Sequence, residues 1–349
     1  MIDPWTGGVP PLSAAPANPL DLAGSESCLG CSKRVGAVAV EALRRCHQDP
    51  RAALHALRAG LSRRFSIQPT RISVAAGTRA LLPALVRALA DGGGVLVSAP
   101  APPLHALALR HAGAGAMGIP LADMGFAVDA WERALQRGEA RLAVLSHPHN
   151  PTGAAFQREE LLRLLAAAEQ SGVHLVLDEA YAEYAASSGF PRAFAFLDDF
   201  PRLIVARTFS SLHGLAGLPA AFAVSSAETA ARLEPFLQGC EPGEVAARAA
   251  SAALEDTAFE AAAGDVARRG RFRVKRALDA AGVVCHIGEG PWVLLGCADA
   301  DAAARRFAAH GVLTRSLAGW GFPGHVRVRA GREDEIERFL EVAVKALKA

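Results

Sequence analysis

Two polar segments, each following a buried-looking strand, carry side chains suited to ligand binding. The first runs from His147 to Gly153 and contains Asn150, and the second begins at Asp178 and contains Tyr181. Ligands of open α/β sheets bind beyond the carboxyl ends of parallel strands, so an amide, a carboxylate and a phenol are expected to meet there. An ordinary turn explains the first segment taken alone equally well, because Asn-Pro and Gly both favour turns.

A third segment is suited to an anion. Gly77, Thr78 and Arg79 stand at the start of a helical pattern that continues to about residue 90. Backbone N–H groups at a helix N-terminus lack intrahelical partners, and the helix dipole favours negative charge there. We expect this turn to bind a phosphate or a carboxylate. Arg79 would add positive charge, although a surface arginine on a first helical turn explains it nearly as well.

An arginine near the C-terminus is a candidate for binding a substrate carboxylate. Arg327 lies in the alternating segment Val326-Arg327-Val328-Arg329, which is typical of a strand. Its planar guanidinium can bind a carboxylate through two parallel hydrogen bonds. A strand-edge arginine in a surface ion pair is the alternative.

The hydrophobic pattern predicts the scaffold that positions these groups. Short apolar segments at 72–76, 95–97, 142–145, 174–177, 203–206 and 221–224 alternate with helical periods. This alternation predicts a mostly parallel, doubly wound sheet. Alanine-rich helices follow from 243 to about 281, and then come strands near 292–295 and 326–328 and a closing helix at 333–347.

Length and composition narrow the possible classes of protein. With 349 residues the chain exceeds one ordinary core. We expect an N-terminal arm at 1–33, a large α/β domain at 34–240, and interdomain helices with a small α+β domain at 241–349. The sequence contains neither a membrane-spanning apolar run nor a secretory leader, so we expect a cytoplasmic protein with reduced cysteines. A net charge of +2, together with the lack of a known nucleic-acid-binding motif in the sequence, argues against nucleic-acid binding.

The segment from Arg207 to Pro219 resembles the cofactor-lysine segment of class I and II aminotransferases, which use pyridoxal phosphate (PLP). The resemblance covers most of the chain from about residue 20, and histidinol-phosphate aminotransferases and threonine-phosphate decarboxylases look like the nearest relatives. It implies fold type I: a large domain with a mostly parallel seven-stranded sheet and a smaller α+β C-terminal domain. It also implies that Asn150 and Tyr181 contact the pyridine hydroxyl, and that Asp178 keeps the ring nitrogen protonated.

The same resemblance assigns the remaining binding groups. The residues expected to bind the cofactor phosphate are Gly77, Thr78, Arg79, Thr208 and Ser210. Those expected to bind the substrate are Arg327 and Arg315. Arg315 stands where relatives with phosphate-bearing substrates place a basic residue, and Arg79 is a candidate to offset an arginine missing elsewhere in the phosphate site.

The residue that the family uses for catalysis is absent. Its lysine position falls on Ser211, and its phosphate-binding arginine position falls on Pro219. The four lysines of the chain lie far along the sequence from Ser211; they are Lys33, Lys275, Lys345 and Lys348. Three of them fall in predicted C-terminal helices, so only Lys33, on the arm, is a conceivable substitute.

Three histidines, His147, His149 and His213, lie near the expected site and are candidates for the missing general base. Imidazole titrates in the range that proton transfer at neutral pH requires. His149 and His213 are also common at their positions in relatives that keep the lysine.

We therefore expect a protein that binds PLP, pyridoxamine phosphate (PMP) or an amino acid–PLP adduct non-covalently. It would act on an amino acid or amino-phosphate substrate without a Schiff-base lysine, as a homodimer. One alternative is a catalytically silent subunit in a heterodimer with an active aminotransferase. Another is a pocket redeployed as a metal site with Cys28, Cys31 and His47, since thiolates and imidazoles bind zinc, copper or iron.

Overall fold

The computed structural model describes residues 18–185 and 189–348 of the chain. Within these ranges the strands are β1 Leu20–Asp21, β2 Ile72–Ala75, β3 Gly94–Ala99, β4 Ala116–Ala122, β5 Gly125–Phe126, β6 Ala140–Ser146, β7 His174–Asp178, β8 Leu203–Thr208, β9 Ala221–Val224, β10 Cys285–Ile287, β11 Trp292–Gly296, β12 Val312–Leu313, β13 Arg315–Ser316 and β14 His325–Arg329. The α-helices are α1 Lys33–Leu43, α2 Arg51–Phe65, α3 Thr78–Leu89, α4 Pro103–Ala112, α5 Val128–Gln136, α6 Arg158–Gln170, α7 Ala227–Leu237, α8 Glu244–Glu255, α9 Thr257–Ala280, α10 Ala300–Ala309 and α11 Glu333–Lys348.

The large sheet has the strand order β2-β9-β8-β7-β6-β3-β4-β5. The five strands from β8 to β4 run parallel, whereas β9 pairs antiparallel with both β8 and β2. The prediction of a mostly parallel sheet is confirmed. An eighth strand, the two-residue β5, pairs antiparallel with the end of β4. The apolar pattern did not predict this hairpin, because β4 is largely exposed and lacks a continuous hydrophobic run.

The central strands bring the predicted ligand-binding segments together. Ser146 at the end of β6 pairs with Asp178 at the end of β7, so the loops after both strands leave the same sheet edge side by side. Two clusters of buried apolar residues, one on each face of the sheet, hold these strands in place. The positions of the two loops therefore follow from strand register and core packing.

A separate antiparallel sheet with the order β10-β11-β14-β13 forms the C-terminal part. Alternation along β14 places Val326 and Val328 in the core beneath this sheet. Arg327 points to the other face, and it pairs in register with both Leu294 and Arg315. The predicted boundaries at residues 33 and 240 stay predictions.

The described part of the N-terminal arm connects these regions. Its β1 pairs in parallel with β12, and the arm then runs on to α1, where the Ser32 hydroxyl accepts a hydrogen bond from the Val35 N–H group at 3.2 Å. Among the described helices, none has the combination of length and apolar character that a bilayer span requires.

Candidate functional site

A cavity of about 430 Å³ lies where the large sheet, the small sheet and the arm meet. This volume falls within the range of about 300–1,000 Å³ that is typical of small-molecule sites. The predicted site residues that line it are Gly77, Thr78, Arg79, Asn150, Asp178, Tyr181, Thr208, Ser210, Ser211, Arg315 and Arg327. Segments far apart in the sequence thus contribute to one site.

Asn150, Asp178 and Tyr181 form one wall of the cavity, which we call the sheet side. Asp178 is only 5% exposed, and its Oδ2 lies 2.9 Å from Nε2 of the buried His105. Its Oδ1 accepts a hydrogen bond from the Ala180 N–H group at 3.2 Å. The Tyr181 hydroxyl accepts a bond from Asn150 Nδ2 at 3.5 Å, and burial raises the pKa of Tyr181. Hydrogen bonds to neighbouring protein groups thus orient all three side chains.

The sequence did not predict His105 as the partner of Asp178. It lies on the first turn of α4, which starts at Pro103 and carries His105 to the end of β7. A histidine just inside a proline-initiated helix was the available signal. Only the packing of α4 shows that the ring faces the carboxylate.

A second part of the cavity lining, which we call the cradle side, consists of Gly77, Thr78, Arg79, Thr208 and Ser210. Thr208 Oγ1 donates to Ser210 Oγ at 3.1 Å, and the Ser210 N–H group donates back to Thr208 Oγ1. Gly77, with φ +81°, immediately precedes α3. Arg79 is exposed on the first turn of that helix.

Pro219 closes the cradle side next to Gly77. A Cβ atom added to Gly77 would lie 2.9 Å from Pro219 Cβ, so only glycine permits this close approach. Proline contributes neither an N–H donor nor a charge at this point. Main-chain groups, hydroxyls and Arg79 are therefore the groups that the cradle side offers to an anion.

Ser211 lies at the cavity and is 6% exposed. Its hydroxyl donates to the Ser25 carbonyl of the arm at 3.1 Å. Among the described residues that line the cavity there is no lysine. Lys33 is the exposed first residue of α1, and Lys275 on α9 bonds to Asp279.

Arg327 and Arg315 supply positive charge from the small sheet. Arg327 donates through one terminal nitrogen to Asn150 Oδ1 at 2.8 Å and through the other to the Ala23 carbonyl at 3.1 Å. Arg315 donates through Nε to the same carbonyl at 3.0 Å. Burial, with a further contribution from the Arg315 charge, lowers the pKa of Arg327 to about 10, so it remains a cation at neutral pH.

The structure places His147 behind the sheet side instead of in the cavity. It is fully buried, and its ring stacks on the rings of Phe156 and Phe190. Its Nε2 accepts a hydrogen bond from the Phe156 N–H group at 3.1 Å, while Nδ1 lies 3.8 Å from Glu179. His147 is therefore not among the described residues that line the cavity, and its role as general base stays a prediction.

His149 and His213 are also absent from the described cavity lining. The two ring nitrogens of His149 are 3.1 Å from Ser98 Oγ and 3.0 Å from Thr152 Oγ1, and burial lowers its pKa to about 3. His213 packs against Phe209, and burial lowers its pKa as well. Both histidines contact protein groups outside the cavity lining, and a catalytic role for either stays a prediction.

The Cys28, Cys31 and His47 group does not form a metal site. Cys31 and His47 are exposed, whereas Cys28 is half-buried and burial raises its pKa. Across residues 18–185 and 189–348, no group of three or more His, Cys, Asp or Glu side chains is arranged to hold a metal ion. The redeployed metal pocket was thus a wrong prediction.

This fold and site define an aminotransferase-like protein, and comparison with known families gives the same class. The family model of class I and II aminotransferases matches residues 20–342, and the chain belongs to this family. It is 32% identical over 330 residues to the histidinol-phosphate aminotransferase of Methylobacillus flagellatus, covering 94% of this chain and 89% of the relative. It is 33% identical over 334 residues to histidinol-phosphate aminotransferase 2 of Methylococcus capsulatus, covering 93% and 90%.

Solved structures show the same fold. The histidinol-phosphate aminotransferase of Sinorhizobium meliloti in complex with pyridoxal-5'-phosphate superposes with a TM-score of 0.86 at 23% identity, covering 94% of this chain and 91% of that one. The histidinol-phosphate aminotransferase of Clostridium acetobutylicum gives a TM-score of 0.85 at 16% identity, covering 94% and 98%. The prediction of fold type I is confirmed.

Proposed function

We propose that this protein holds PLP, PMP or an amino acid–PLP adduct in the cavity without a covalent link. It then acts on an amino acid or amino-phosphate substrate without a Schiff-base lysine. One observation carries the proposal. Asn150, Asp178 and Tyr181 lie together at the cavity, yet the residue at the position that the resemblance gives to lysine is Ser211. Its hydroxyl is bonded to the arm at Ser25.

The donor set of the cavity fits such a cofactor. Each carboxylate oxygen of Asp178 has one hydrogen-bond partner, His105 or the Ala180 N–H group, and retains a further lone pair, which a protonated ring nitrogen can use. Asn150 and Tyr181 offer an amide and a hydroxyl to the ring oxygen. The first N–H groups of α3 and the hydroxyls of the cradle side suit a phosphate. When bound, the pyridinium ring supplies an electron sink for a substrate carbanion.

Within this proposal the protein's own residues bind and orient. His105 holds the Asp178 carboxylate in place, and Arg79 supplies the charge for the cofactor phosphate that Pro219 cannot provide. Arg327 and Arg315 bind the anionic group of the substrate. The names of the curated relatives, histidinol-phosphate aminotransferases, support an amino-phosphate. Because no described cavity residue is an amine, ordinary lysine-dependent transamination is not expected.

We also propose a cytoplasmic homodimer, since dimers are typical of this family. Similarity to known proteins does not support the alternative of a silent subunit in a heterodimer with an active aminotransferase.

Calorimetric titration of the purified protein with PMP and with PLP tests the proposal. We expect saturable binding that dialysis reverses, together with no detectable transamination of amino acids with 2-oxoacids. Failure of both compounds to bind, or robust transamination by the unmodified chain, would overturn it.

A further inference from the structure

The guanidinium of Arg327 lies over two indole rings, those of Trp292 and Trp320, which we call the tryptophan pair. Its central carbon is 4.9 Å from the Trp292 ring centre and 5.1 Å from that of Trp320. Trp292 opens β11, and Trp320 ends the short 3-10 turn Ala318–Trp320 ahead of β14. Two separate elements that both precede β14 in the sequence thus supply rings to one cation.

The tryptophan pair offsets part of the free-energy cost of burying the Arg327 charge. Arg327 is 2% exposed, and its hydrogen-bond acceptors, Asn150 Oδ1 and the Ala23 carbonyl, are neutral. Burying a charge is unfavourable, and the nearby positive charge of Arg315 adds repulsion, which the Glu26 carboxylate opposes with a smaller effect. The negative face of an indole ring attracts a cation, and the attraction is stronger where water is excluded.

Trp320 contacts both cations. The central carbon of Arg315 lies 5.4 Å from the same indole ring, so one ring faces two guanidinium groups. Trp320 also lines the cavity, whereas Trp292 packs edge-on against Tyr181 at 4.6 Å. Arg327 Nε is buried and has no hydrogen-bond partner among the described residues.

We propose that Trp320, supported by Trp292, is a positioning residue that holds Arg327 and Arg315 as a two-cation receptor for the anionic group of the substrate. The inference rests on the proposed function, which assigns these arginines to substrate binding. The positioning role of Trp320 depends on the attraction between the π face of its indole ring and the two guanidinium groups. A leucine at position 320 would fill much of the space but would remove the indole contact of Arg315 and leave Arg327 with Trp292 alone.

Calorimetric titration with O-phosphoethanolamine, a small amino-phosphate, tests the receptor. We expect Trp320→Leu to raise the Kd about tenfold and Trp320→Phe, which keeps a weaker π face, to raise it about threefold. Phe322→Leu is the matched control. It lies in the same apolar cluster but outside the cavity lining, and it should change the Kd less than twofold. PMP affinity should stay unchanged in all three variants.

A further variant, Arg327→Gln, distinguishes a failure of the role proposed for Trp320 from a failure of the proposed function. If this variant binds the probe as tightly as the unmodified protein, the substrate assignment itself is wrong. If Arg327→Gln weakens binding but Trp320→Leu behaves like Phe322→Leu, or lowers PMP affinity equally, only the role of Trp320 is refuted. Should the leucine variant fail to fold, the threefold effect of Trp320→Phe decides the question, and an unchanged Kd counts against the receptor.

Discussion

The sheet side and the cradle side of the cavity present different kinds of chemical groups to a ligand. On the sheet side, buried side chains bond to one another: Asp178 to His105 and Asn150 to Arg327. The cradle side relies on main-chain N–H groups, three hydroxyls and the exposed Arg79. A preorganised wall should depend strongly on single side chains, whereas a wall of main-chain groups should spread its binding energy over many small contributions.

The largest expected effect concerns the ion pair that joins the two sides. Arg207, just before Thr208, donates to Glu179 at 3.0 and 2.7 Å, and Glu179 follows Asp178 directly. Arg207→Met leaves a buried carboxylate unpaired and should lower the free energy of unfolding by about 3–5 kcal/mol, measured by urea denaturation. Arg163→Met, at an exposed ion pair, is the control and should change little. A comparable effect in both variants would show that the two sides are not joined in this way.

Asp178→Asn probes the sheet side directly. Removing a buried charge that pairs with a ring nitrogen typically costs 2 kcal/mol or more, so PMP affinity should fall by about 30-fold or more in calorimetry. Asp199→Asn, at an exposed position, should bind PMP like the unmodified protein. Undiminished binding by Asp178→Asn would remove the sheet side from the proposed site.

His149 makes the stability of the sheet-side loop depend on pH. Its folded pKa of about 3 lies below the ordinary value of 6.5, so below pH 6.5 the unfolded chain takes up a proton that the folded chain excludes. The free energy of unfolding should therefore fall as pH drops from 6.5 towards 3, with His149 contributing up to about 1.4 kcal/mol per pH unit.

Urea denaturation at several pH values measures this dependence. His149→Gln should give a shallower pH slope than the unmodified protein, whereas His310→Gln, at an exposed helix end, should keep the original slope. Identical slopes for all three proteins would show that His149 titrates normally in the folded state.

The smallest expected effect belongs to the cradle side. Arg79→Ala should weaken PMP binding about three- to tenfold and leave the weaker binding of phosphate-free pyridoxamine unchanged, because Arg79 acts on the phosphate alone. Pro219→Arg in the same chain should recover the loss. Arg87→Ala, on the last turn of the same helix, is the control. If Arg79→Ala binds PMP undiminished, the charge at this position has no role in holding the phosphate.

The sheet and most of the cavity lining could be predicted from the sequence because both depend on local patterns, namely apolar strand segments and the polar residues that directly follow them. Asn150 and Asp178 follow buried strands, and strand register then brings their loops together. Arg327 alternates with two valines, so the core that buries Val326 and Val328 turns the guanidinium towards the other face.

The failures concern side-chain direction in loops and contacts between distant segments. His147 is adjacent to the cavity in sequence, but packing against Phe156 and Phe190 turns it away. No local pattern predicts that the Ala23 carbonyl meets two arginines about 300 residues later, or that His105 bonds to Asp178. Such contacts follow from tertiary packing alone.

Borohydride reduction in the presence of PLP, followed by intact-mass measurement, tests most directly whether the cofactor is held without a covalent bond. The account predicts no added mass on the unmodified protein despite reversible binding. It also predicts one added pyridoxyl phosphate on Ser211→Lys, whose new amine reaches the same cavity. A single stoichiometric adduct on the unmodified chain would contradict the account, because another residue would then replace the missing lysine.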